Sequence, residues 1–123
     1  MTNKKALLIV DDSKVSRMMI SAIVKEKYPD LIIFEAANGD EAISVANSNE
    51  INFFSIDYNM PGINGIDLIS HLKKSLTNAK YTLLTANIQD STHKKVESVG
   101  AVCINKPISE ESITKMVEYF YSE

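Results

Sequence analysis

The sequence has one cysteine, Cys103, so no disulfide can form within the chain, and a reducing cytoplasm suits it. That cysteine reads as a small buried hydrophobe in a strand. No apolar run approaches the roughly 18 residues of a membrane span. The N-terminus has a basic start, but its apolar run is too short for a secretory leader and ends in acids. There is no basic surplus either: 13 lysines and arginines face 16 acids, a net charge of -3, which argues against a nucleic-acid binder. Repeats, low-complexity tracts and linkers are absent. What remains is a 123-residue chain, 45% hydrophobic and 24% charged, the balance of one soluble globular domain over residues 1–123.

Strand-like and helix-like patterns alternate five times. Residues 6–10 (ALLIV) form a first strand. Residues 14–27 carry Val15, Met18, Met19, Ala22 and Ile23 at the spacing of an amphipathic helix, capped by Ser13 and stopped at Tyr28-Pro29-Asp30. Residues 31–36 are a second strand. Asn38 and Glu41 have capping-box spacing for a helix ending near Asn47. Residues 51–57 are the third strand, and a turn-rich loop at residues 60–65 feeds a helix with Leu68, Ile69 and Leu72 inward. A fourth strand spans 81–85. The helix at 89–98 has only Val96 and Val99 as clear anchors and is expected to be weakly held. After a fifth strand at 101–105, Ser109 caps a last helix whose buried stripe is Ile113, Met116, Val117, Phe120 and Tyr121. This (βα)₅ alternation implies an α/β fold, a doubly wound parallel sheet with helices on both faces. The pattern alone leaves the strand order open; for this length the flavodoxin-like order 2-1-3-4-5 is expected.

Three strands end in chemistry. The first runs into Asp11-Asp12, the third into Asp57, and the fifth into Lys106-Pro107. Carboxyl ends of parallel strands converge on one crevice. An aspartate after a strand is often a turn former or helix cap, but three acids and a lysine at one mouth point to a site for a hard divalent cation and a phosphoryl group. Mg²⁺ suits carboxylate oxygens and retained waters, and Mn²⁺ could substitute. Lys106 offers charge to phosphoryl oxygens, and Thr85 and Ala86 a hydroxyl and a backbone N–H. A carboxylate can itself be the nucleophile, giving an acyl phosphate. Asp57, on the central strand, is the best placed.

These pieces, IVDDS at 9–13, IDYNMPGING at 56–65, LLTA at 83–86 and NKPI at 105–108, resemble a response-regulator receiver domain of the CheY-like, stand-alone kind over nearly the whole chain. The resemblance implies that Asp57 accepts a phosphoryl group from a histidine kinase or histidine phosphotransfer protein. It implies that Asp11, Asp12, Asp57 and the backbone carbonyl of Asn59 hold Mg²⁺. Thr85 and Lys106 would contact the phosphoryl group, and the Lys106–Pro107 peptide would be cis. Cys103 departs from the pattern, standing where the family commonly has an aromatic ring. Asn59 and Asn87 stand at positions that, in the family the chain resembles, flank the route of the attacking water.

The expected protein is a monomeric cytoplasmic switch rather than an enzyme, without an effector domain, membrane insertion or nucleic-acid target. A downstream protein would read the face formed by the fourth helix, fifth strand and fifth helix, with Lys94, Lys95, Lys115 and Tyr119 as candidates, in chemotaxis or another pathway; a phosphatase would reset it. Two rivals stand beside this. One is a phosphate sink or relay shuttle. The other is a small Mg²⁺-dependent phosphohydrolase, which would need a second acid where Asn59 stands and a covering cap for which 123 residues leave no room.

Overall fold

The computed structural model describes residues 4–86 and 90–122. Among them, strands and helices alternate in the order β1 (Ala6–Val10), α1 (Lys14–Lys27), β2 (Ile32–Ala36), α2 (Gly39–Ser48), β3 (Phe53–Asp57), α3 (Gly65–Lys73), β4 (Lys80–Thr85), α4 (Asp90–Ser98), β5 (Ala101–Asn105) and α5 (Glu110–Phe120). All strand pairings are parallel, and the sheet order is β2-β1-β3-β4-β5, as expected. The sheet therefore has β3 at its centre.

Period-two alternation splits the core into two layers. Leu8, Val10, Phe54, Ile56, Tyr81 and Leu83 face α2, α3 and α4. Leu7, Ile9, Phe53, Leu84 and Ile104 face α1 and α5. Because both faces are covered, β1 and β3 are buried at every position. Each fully buried Leu or Ile contributes about 1.5–3 kcal/mol. The layers thus fix the strand ends firmly.

The caps follow the sequence. Ser13, Asn38, Asn64 and Ser109 each accept a bond from a backbone N–H of the first turn they open. At α2 the box is shifted by one residue: the Glu41 carboxylate accepts from the N–H of Ala37 rather than of Asn38.

Two helix faces differ from expectation. On α1 the buried residues are Ile20, Ser21 and Val24, while Val15, Met18 and Met19 are 65%, 58% and 45% exposed, Ala22 is exposed and Ile23 half-buried. The helix is apolar on two sides, and its spacing fits either row. On α5 the stripe Ile113, Met116, Val117 and Phe120 is buried, but Tyr121 is the C-cap and 53% exposed, its ring edge-on to Phe53. On α4, Thr92 and Val96 are buried, and Val99, just past its end, is half-buried, a narrow hold.

Candidate metal and phosphoryl site

The site is built at the carboxyl ends of β1, β3, β4 and β5. Asp11 is fixed from two sides: its N–H donates to Ala36 O at 3.1 Å, and its Oδ1 accepts from the N–H of Ser13 at 2.9 Å. Asp11 and Asp57 are buried, and Asp12 is exposed at the mouth. One carboxylate oxygen from each lies within 4.8 Å of the others. Water is excluded from two of these acids, so their mutual repulsion is poorly screened. Burial pushes the Asp11 carboxyl above its ordinary range. Asp57 and Asp12 push it the same way, against the Ser13 amide and Lys106.

Lys106 supplies the counter-charge. Its Nζ lies 2.9 Å from Asp57 Oδ1, with the lysine side chain 33% exposed. Oδ1 is buried, and its close polar contact is this ion pair with Lys106. A buried acceptor of that kind, beside two further carboxylates, fits a hard, oxygen-seeking cation such as Mg²⁺. Thr85 is buried at the end of β4, the strand between β3 and β5, and its carbonyl accepts from the N–H of Lys106 at 2.9 Å. The Lys106–Pro107 peptide is cis, as the resemblance implied.

The loop after Asp57 is shaped by two glycines. Gly62 has φ +82°, a conformation that favours glycine. At Gly65 a Cβ would stand 2.8 Å from the backbone oxygen of Asp57 and 2.5 Å from Leu83 Cδ1, so α3 can start hard against β3 only with glycine there.

The remaining sequence candidates are more scattered. Asn59 is exposed two residues past Asp57, Ala86 is exposed after β4, and Asn87 lies outside the described residues. Cys103 is half-buried, and its thiol is pushed up by burial and by Glu97. It lines a cavity of about 400 Å³ with Asn105, Pro107, Glu111 and Lys115. Lys94 and Lys95 are exposed and Lys115 pairs with Glu111 at 3.4 Å, but Tyr119 is half-buried beneath the Lys80 ammonium. Sequence spacing gave no sign of Gly65's close approach, nor of Arg17 and Glu35. Those two meet beside the acidic pair, with 3.0 Å between Nε and Oε1.

Comparison with known proteins gives the family and the likeness of fold. Residues 7–118 match the model of the response regulator receiver domain. The chain belongs to that family. Receivers are signalling switches of two-component systems rather than ordinary enzymes. The chain is 35% identical over 98 residues to the chemotaxis protein CheY of Thermotoga maritima, covering 79% of this chain and 80% of that one. It is 25% identical over 117 residues to the response regulator UvrY of Escherichia coli, covering 94% of this chain but 54% of UvrY, so it spans about half the length of that relative. The chemotaxis response regulator CheY4 of Vibrio cholerae superposes with a TM-score of 0.87 at 23% identity, covering 96% of this chain and 99% of that one, a likeness of fold. No described helix is long and apolar enough to cross a membrane.

Proposed function

We propose that Asp57 is the phospho-acceptor of this receiver and that a bound Mg²⁺ assists the transfer. The observation that carries this is the buried Asp57 carboxylate, flanked on one side by Asp11 and Asp12 and on the other by Lys106 at 2.9 Å. An Asp57 carboxylate oxygen attacks the phosphorus of a partner's phosphohistidine. The P–N bond breaks, its electron pair stays with the imidazole, and an acyl phosphate forms. Asp11, Asp12, Asp57 and the carbonyl of Asn59 would hold the cation, which offsets charge on the acids and the phosphoryl oxygens. Lys106 then exchanges its carboxylate partner for a phosphoryl oxygen, and the Thr85 hydroxyl donates to another.

The donor is a histidine kinase or histidine phosphotransfer protein. Exposed Val15, Met18 and Met19 on α1 form an apolar row beside the open Asp12, a surface suited to such a partner. The output is a change in affinity for a protein that reads α4, β5 and α5; a chemotaxis pathway is consistent with the likeness to CheY. Relay to a second phosphotransfer protein is the alternative, using the same residues.

The test is incubation with a low-molecular-weight acyl phosphate and Mg²⁺, read by intact mass and peptide mapping. One phosphoryl group should appear on Asp57 and none on an Asp57→Asn variant. Labelling at another residue would refute the assignment. Sustained turnover of phosphate monoesters would instead favour a phosphohydrolase.

A further inference from the structure

Arg17 is the only arginine in the chain; the other twelve basic residues are lysines. Its side chain is 15% exposed and lies along the outer edge of the β1–α1 junction. The guanidinium works in two directions at once. Nε donates to Glu35 Oε1 at 3.0 Å, and Nη1 donates to the backbone oxygen of Asp11 at 2.6 Å. Glu35 sits on β2 directly beside Ile9 in register, one residue before the Ala36 whose carbonyl accepts from the Asp11 N–H.

The carbonyl held by Arg17 belongs to the peptide that joins Asp11 to Asp12. Its plane sets the direction in which both side chains leave the backbone. Asp11 has a second restraint in the Ser13 N–H, but Asp12 is exposed and depends on the backbone for its aim. A planar fork can hold a carboxylate and a carbonyl together, which the compact ammonium of lysine does poorly.

We infer that Arg17, braced by Glu35, is a positioning residue that holds the Asp11–Asp12 peptide so that both carboxylates face Asp57. The inference rests on the metal site proposed above. Outer partners of metal ligands commonly govern about 10- to 100-fold of affinity, so Arg17→Ala is expected to weaken Mg²⁺ binding by about tenfold.

The experiment titrates Mg²⁺ by calorimetry into wild type, Arg17→Ala, Arg17→Lys, Glu35→Ala and Glu35→Gln, with the folded fraction of each fixed by circular dichroism. In parallel, NMR follows exchange of the Ser13 amide in metal-free protein. The expected result is weaker Mg²⁺ binding in Arg17→Ala and Glu35→Ala, partial recovery in Arg17→Lys and near-wild-type affinity in Glu35→Gln, which keeps an acceptor for Nε. Ser13 exchange should quicken in Arg17→Ala without metal. Glu35 is 42% exposed, so a merely structural role would not make its truncation alter metal affinity. Folded Arg17→Ala and Glu35→Ala proteins that bind Mg²⁺ within twofold of wild type would overturn the inference. Wild type that fails to bind Mg²⁺ would overturn the metal site itself, and unchanged Ser13 exchange would then dismiss the restraint by Arg17 as well.

Discussion

Lys106 reaches across the end of β4 to place its ammonium 2.9 Å from Asp57 Oδ1, joining the fifth strand to the third. The pair is asymmetric, with a buried carboxylate and a lysine one-third exposed. We predict that Lys106→Ala lowers stability by about 1–2 kcal/mol, less than a fully buried pair because water screens the ammonium. It should still accept a phosphoryl group, since the nucleophile remains. Phosphorylation should no longer change partner affinity. A labelled variant that switches normally in a binding assay would remove Lys106 from the readout.

Asp11 is expected to contribute to the pH dependence of stability on the acid side. Its folded-state pKa is raised above an ordinary 3.8 by burial, so the metal-free native state holds this charge at a cost near neutral pH. As pH falls through the raised value toward 3.8, protonation relieves that cost, and below 3.8 it is gone. Asp11→Asn is therefore predicted to be more stable than wild type at neutral pH without metal, with the gain shrinking as pH drops. Excess Mg²⁺ should reverse the order by stabilising only the wild type. Urea melts across pH, with and without Mg²⁺, measure this; a less stable Asn variant at neutral pH in metal-free buffer contradicts it.

Gly65→Ala tests the support under the acceptor strand. The new methyl would press on the Asp57 carbonyl and on Leu83, backbone and core that cannot both yield. The expected cost is about 1–3 kcal/mol, the range for overpacking, together with slower phosphorylation of the folded fraction. Unchanged melting and labelling would show that α3 shifts freely.

Helix α4 is held by Thr92, Val96 and, just past its end, the half-buried Val99. Few anchors make a segment easy to displace. On phosphorylation, amide exchange is predicted to change most across residues 86–99. Cys103→Tyr should leave labelling intact but alter partner binding, because the ring would enter the cavity of about 400 Å³ beside Asn105 and Lys115. Exchange changes confined to α3 would move the output to another surface.

The sequence made the strand ends legible because apolar runs stop abruptly at acids or a lysine, and parallel order then gathers those ends. Asp11, Asp12, Asp57 and Lys106 do meet. Helix α1 was less legible. Val15, Met18 and Met19 form one apolar row and Ile20 and Val24 another; periodicity measures the spacing but not the rotation about the axis. In the structure Ile20 and Val24 face the core, Ser13 caps the helix start and Arg17 turns toward Asp11. Tyr121 continued the α5 stripe in sequence but falls past the last helical turn, where spacing no longer applies. Gly65 and the Arg17–Glu35 pair were hidden for a different reason: each depends on contact between different elements of the fold rather than on spacing within one.

The central place of β3 has a further consequence. Of the groups proposed to gather the cation, Asp11 and Asp12 lie on the β1 flank, while Asp57 and the Asn59 carbonyl come from the end of β3. The groups proposed to sense the added group, Thr85 and Lys106, lie on the β4–β5 flank. The two flanks share one side chain, Asp57. Capture and readout are thus separable modules wired through a single node, so changes at Thr85, Cys103 or α4 can retarget the output while the loading chemistry stays as it was.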